Sequence, residues 1–142
     1  QMALIRSNSE ISMTAVDEIL RWSSPTMHIV RLAVEDVELH GQTIRAGDTV
    51  ALILAAANFD PAQFDDPNRF DLTRTPNEHV TFGRASHPCL GISLARLEIK
   101  LLFEEFFRQV GTIELDGEVT FVRDCLIHGI RELPIRISPA RG

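Results

Sequence analysis

A cysteine sits in the small-residue stretch Phe82-Gly83-Arg84-Ala85-Ser86-His87-Pro88-Cys89-Leu90-Gly91, just ahead of a long apolar run at helical spacing. A thiol at the head of a helix meets unpaired N–H groups and the positive end of the helix dipole. Both lower its pKa and favour thiolate, the form that binds metal. Gly83 and Gly91 lack a Cβ, so a flat ligand can approach the backbone closely there. A thiolate held in this way suits haem iron, to which it donates electron density strongly. Nothing around Cys125 organises a site, and it reads as an ordinary free thiol.

A zinc site would need His87, Cys89, Cys125 and His128 together. Residues 125 and 128 on a strand point to opposite faces, which argues against it. A second charged pattern, Glu18-Ile19-Leu20-Arg21, places two opposite charges three residues apart on one helical face.

These groups need elements to hold them. Gln1 to Arg6 reads as the tail of a helix, broken at Ser7-Asn8-Ser9. Thr14 with Asp17 resembles a capping box that opens a second helix. Val16, Ile19 and Leu20 form its apolar face, and Ser23-Ser24-Pro25 stops it. Met27 to Thr49 has the texture of short strands, with His28, Val30, Leu32 and Val34 on one face and Ile29, Arg31, Ala33 and Glu35 on the other. Turns are expected at His40-Gly41 and Ala46-Gly47-Asp48, and a buried strand over Val50 to Leu54. Asn58 to Asn77 is a long irregular segment with apolar anchors at Phe59, Phe64 and Phe70. A long helix is expected from about Cys89 to Gln109, striped by Leu90, Leu94, Leu97 and Leu101. Glu104 and Arg108 are spaced to pair on it, and Gly111 is placed to end it. Short strands are expected at Val119 to Val122, Leu126 to Ile127 and Pro134 to Ile137. The class is α+β.

The chain has 142 residues, one domain's worth, with 44% hydrophobic and 24% charged residues and a net charge of −6. That composition is globular, and its sign argues against a nucleic-acid partner and against attraction to anionic lipid. The longest apolar run, Val50 to Ala57, is far short of the roughly 20 residues of a membrane span. No signal peptide is visible, and two cysteines without a disulfide framework suit a cytoplasmic location. The start at Gln1 leads us to expect an upstream segment.

The cysteine segment resembles the ligand loop of the cytochrome P-450 family, Phe-Gly-x-Gly-x-His/Arg-x-Cys-x-Gly. Phe82, Gly83, His87, Cys89 and Gly91 match it, and Leu94-Ala95-Arg96-Leu97-Glu98 continues the likeness into the next helix. Ala85 departs from it, standing where the family has glycine. Left-handed geometry there would cost alanine about 1–2 kcal/mol. Glu18-Ile19-Leu20-Arg21 resembles the family's Glu-x-x-Arg helix, and the likeness extends to Ala57-Asn58-Phe59-Asp60-Pro61 and to Cys125 to Ile137.

The resemblance implies the C-terminal part of that fold: the Glu-x-x-Arg helix, small sheets, a meander, the cysteine-ligand loop and a long proximal helix. It implies haem b (iron protoporphyrin IX), with Cys89 as ligand to the iron, Arg31 and His87 on propionates, and Phe82 shielding the sulfur. Gly83, Ala85 and Gly91 would line the cofactor. Arg69, in Pro67-Asn68-Arg69-Phe70, would join Glu18 and Arg21 in a structural clamp. Residues near Thr26 to Val30 would touch a lipophilic substrate. The family's oxygen-binding helix would lie upstream of Gln1.

The implied activity is that of a soluble, bacterial-type monooxygenase fed by a ferredoxin-type or flavoprotein electron donor. This chain alone is expected to be inactive and to self-associate through its apolar haem-facing surface. Two alternatives stand beside this reading: a non-catalytic haem-binding module, and a folded remnant or interaction protein without haem.

Overall fold

A computed structural model describes residues 1, 5 and 10–140. Helix α1 spans Met13–Ser23. Its N-cap is Ser12, whose hydroxyl accepts the Ala15 N–H at 3.1 Å, so the helix opens ahead of the expected Thr14 box. Ser24, left-handed at φ 37°, closes it by donating its N–H to Leu20. The expected helix tail before Ser7 and its break fall largely outside the described residues.

Strands β1 (Ile29–Leu32), β2 (Val37–Leu39), β3 (Gln42–Ile44) and β4 (Thr49–Leu52) follow, with turns at both expected places. β1 pairs antiparallel with β4, setting Arg31 opposite Val50, and β2 pairs with β3. β4 is not the buried strand its composition suggests. Leu52 is 43% exposed, and the chain turns into a short helix α2 (Leu54–Ala57), where only Leu54 is buried. An apolar run alone does not separate a core strand from a surface strand running into a helical turn.

Residues 58–91 form turns without a regular element. Phe64 is buried in this stretch, and Phe59 and Phe70 are partly so, as the aromatic spacing suggests. Helix α3 (Ile92–Gln109) starts three residues later than expected, leaving Cys89 in the loop before it. It passes directly into β5 (Val110–Leu115), a strand the sequence reading missed. Gly111 therefore lies within β5 and does not cap the helix. A Cβ there would collide with the Pro139 carbonyl, so glycine permits the close approach of β8 (Ile135–Pro139). β6 (Thr120–Phe121) pairs with β7 (Ile130–Glu132), and an isolated bridge joins Thr26 to Ile127. Among the described residues the sheets are four two-stranded antiparallel pairs, and no helix is long and apolar enough to cross a membrane.

The core gathers on α1: Ile11, Ala15, Val16 and Leu20 pack with Leu72, and Ile99, Phe103 and Phe107 of α3 close over them. The leucine stripe of α3 does not face this core. Leu90, Leu94, Leu97 and Leu101 are all exposed, so the packed face is the isoleucine–phenylalanine one. Glu104 likewise does not pair with Arg108. It accepts from Lys100 and from the Ile11 N–H, while Arg108 pairs with Glu105.

Candidate cofactor site

The site rests on buried charge. Glu18 and Arg21 share one face of α1, both 0% exposed, and meet through two parallel hydrogen bonds of 2.8 and 2.9 Å. Charge this deep is tolerated only when its hydrogen-bonding capacity is filled. Arg21 also donates to the carbonyls of Asn58 (2.8 Å), Pro67 (3.0 Å) and Arg69 (3.3 Å). Glu18 also accepts from the Asp71 N–H (2.9 Å), Arg74 Nε (3.2 Å) and Asn77 Nδ2 (3.0 Å). Burial pushes the Glu18 carboxyl up, but the Arg21 and Asp71 hydrogen bonds, with the charges of Arg21 and Arg74, outweigh it and hold its pKa low.

The third member of this clamp is Arg74. The Arg69 side chain is 64% exposed and reaches only Asp71, at 3.7 Å; its carbonyl alone enters the clamp. Arg74 is 10% exposed and spans Glu18 and the carbonyls of Asp65, Asp66 and Arg69. Both arginines lie in the irregular segment, where no periodicity says which side chain turns inward.

Asn58 carries the clamp's order to the cysteine loop. It is fully buried, donating to Ser24 Oγ and Thr81 Oγ1 (both 2.9 Å) and accepting the Val80 N–H (2.8 Å). Thr81 Oγ1 donates in turn to the Leu20 carbonyl. His79, nearly buried, accepts the Thr81 N–H at Nδ1, which leaves the ring proton on Nε2 facing Asp17. Burial holds the His79 pKa below its ordinary value despite the opposing pull of Asp17. The sequence reading did not single out Arg74 or the His79 and Asp17 pair; Asn58 appeared only within a family-like run.

The loop itself is closed at its base. Gly83 N donates to Val80 O and Cys89 N to Phe82 O, both at 2.8 Å, and Gly83 takes φ +74°. Ala85 does adopt the left-handed geometry that glycine would take freely, at φ +64°. Cys89 is exposed; a Cβ on Gly91 would stand 3.9 Å from its sulfur. Phe82 packs against the α1 core near the His79 ring.

An open cleft of about 450 Å³ lies between β1, β4 and the loop, lined by Ile29, Arg31, Leu52, Val80, Ala85 and His87 among others. It brings Arg31, Ala85 and His87 together, with Arg84 added. Gly83, Phe82, Cys89 and Gly91 are not among its walls. Arg31 is exposed, its guanidinium on the Val30 carbonyl. Cys125 is exposed as well, and among the described residues no three His, Cys, Asp or Glu side chains converge as a metal cluster.

The family model described as Cytochrome P450 matches residues 9–112. The chain is 39% identical over 140 residues to Cytochrome P450-terp of Pseudomonas sp, covering 99% of this chain and 33% of that protein. It is 43% identical over 129 residues to the methyl-branched lipid omega-hydroxylase of Mycobacterium tuberculosis, covering 90% and 30%. The crystal structure of P450BioI in complex with hexadec-9Z-enoic acid ligated acyl carrier protein superposes with a TM-score of 0.93 at 40% identity, over 97% of this chain and 36% of that one. The chain thus spans about a third of the length of the relatives it matches.

Proposed function

This chain belongs to the cytochrome P450 family of haem-thiolate monooxygenases, and we propose that it forms the cysteine side of the haem site in such an enzyme. The donor chemistry fits that group. A bare metal ion would need several side chains, whereas haem iron takes its nitrogen ligands from the macrocycle and would ask this chain for one donor. Cys89 is that donor, on a loop whose base is fixed by the Phe82 and Val80 carbonyls. The cleft beside it, with an apolar lining, cations at Arg31 and Arg84 and the imidazole of His87, suits a flat apolar group bearing carboxylates. Arg31 and His87 would hold the propionates, Phe82 would keep water from the sulfur, Gly83 and Gly91 would allow close approach, and Ala85 would line the group. Bound haem b would supply dioxygen activation, using electrons from a ferredoxin-type or flavoprotein donor.

Residues 1–142 act as the C-terminal haem-binding portion, and the wall opposite Cys89 comes from protein outside them. The chain alone therefore has no turnover and self-associates through exposed apolar side chains such as Leu32, Leu52 and Leu90. The substrate is lipophilic, in keeping with the lipid and fatty-acyl ligands named for two relatives. The enzyme works in the cytoplasm.

The observation that carries this reading is the pinned Cys89 loop beside a cation-rimmed apolar cleft. Its test is the spectrum of the haem-loaded, reduced protein under carbon monoxide, compared with Cys89→Ala. A red-shifted Soret band that vanishes in the variant supports thiolate ligation. A band indifferent to the substitution rejects it.

A further inference from the structure

The loop carrying Cys89 has an entering flank, residues 79–82, and a leaving flank, the first turns of α3. The bond that joins the two sides at the base, Cys89 N to Phe82 O, holds only while those flanks keep their separation, and Gly83 N to Val80 O closes the entering turn. One side chain outside the loop touches both. Asp17 Oδ1, on α1, accepts Arg96 Nε at 2.8 Å from α3 and lies 3.5 Å from His79 Nε2 on the entering flank. The three side chains are 23%, 32% and 3% exposed, so this contact is largely shielded from solvent.

We propose that Asp17 is a positioning residue for Cys89: its carboxylate ties the two flanks of the cysteine loop together, through His79 on one side and Arg96 on the other. The inference rests on the reading of Cys89 as the haem ligand. It divides labour between neighbours on α1, since Glu18 turns into the clamp beneath the meander while Asp17 turns toward the loop. His79 serves as a neutral bridge, its Nδ1 accepting the Thr81 N–H one residue before Phe82. The charged groups acting on its ring are Asp17, Arg96 and Arg21. Protonation of Nδ1 would expel the Thr81 N–H, so acid loosens the same flank that loss of Asp17 loosens.

The test uses the haem-loaded protein, as purified, with Asp17→Ala, Arg96→Gln and their combination. Backbone hydrogen exchange is followed at Gly83 and Cys89, with Val16 and Leu20 of α1 as the reference. We expect exchange at Gly83 and Cys89 to rise at least tenfold in Asp17→Ala, with the α1 amides within twofold of the parent. The combined variant should add little to Asp17→Ala alone. In the reduced protein under carbon monoxide, at a pH where the α1 amides stay protected, part of the thiolate-type band should be lost in Asp17→Ala, a change that general support of the fold would not produce. Should Asp17→Ala not fold, Arg96→Gln carries the test through a smaller acceleration of the same two amides. Loop amides within twofold of the parent would overturn the proposal, and so would equal acceleration at Val16 and Leu20. The parent spectrum beside Cys89→Ala separately decides the ligand reading, and the exchange comparison stands whichever way that falls.

Discussion

Replacing Arg74 with alanine should destabilise the protein far more than replacing Arg69. Glu18 is fully buried and receives five donors: Arg21 Nε and Nη2, the Asp71 N–H, Arg74 Nε and Asn77 Nδ2. Arg74→Ala removes one charge-assisted bond to that carboxylate, worth about 1.5–3 kcal/mol. It also frees the carbonyls of Asp65, Asp66 and Arg69, which lie near the surface, where water replaces most of what is lost. The sum is about 3 kcal/mol. Arg69 is largely exposed, with its one carboxylate partner at 3.7 Å, and such pairs contribute within about 0.5 kcal/mol. Urea unfolding of the two variants and the parent measures the difference directly, and Arg74→Lys should recover only part of it because the planar fork is lost. If Arg69→Ala costs as much as Arg74→Ala, the assignment of the third clamp residue is wrong.

Acid should destabilise the fold in two stages. His79 has a lowered pKa in the folded state, so its contribution is present above its ordinary value of 6.5 and is lost as pH falls toward the folded value; His79→Gln should flatten urea midpoints in that upper window. Glu18 is likewise lowered from 4.5, so its contribution is lost only below that, and Glu18→Gln, though less stable throughout, should lack that lower limb. Ala85→Gly should stabilise by about 0.5–1 kcal/mol, the left-handed penalty of alanine less the entropy glycine brings to the unfolded chain, read from the same titration. Gly111→Ala should cost about 1–3 kcal/mol, since the new Cβ must push β8 away at Pro139; faster hydrogen exchange along β5 and β8 would locate the damage.

What could be read in advance follows from what carries a local signal. The cysteine loop, the Glu18 and Arg21 pair, α1 and α3 announce themselves through spacing, and the left-handed Ala85 through the loop's pattern. The hairpin turns at His40-Gly41 and Gly47 were legible from turn chemistry, and both glycines do take positive φ. Tertiary choices were not legible. Arg69 and Arg74 are equally cationic and five residues apart in an irregular segment, and only the folded path of the meander selects one. The spacing of α3 shows a leucine stripe but not which face packs, and it is Ile99, Phe103 and Phe107 that face α1. Gly111 has the usual place of a glycine after a helix, whereas its reason lies in the close approach of Pro139, 28 residues away, at a bulge in the β5–β8 pair.

The clamp does not exist mainly to add stability. Among the largest fully buried side chains are Arg21, Glu18 and Asn58, and an ion pair buried at this depth is often matched or exceeded by apolar side chains of the same volume. What apolar residues cannot do is select among backbone paths. The segment 58–91 has no ladder of its own to fix it. Arg21 takes hold of it at three separate carbonyls, those of Asn58, Pro67 and Arg69, and Glu18 takes hold of it at the Asp71 N–H. Asn58 then passes that order to Val80 and Thr81, and so to the base of the Cys89 loop. Each contact is directional, so together they admit one path of the chain where hydrophobic packing would admit several. If Cys89 holds haem iron as proposed, its loop needs that kind of support, and α1 offers it with neighbouring carboxylates pointing two ways.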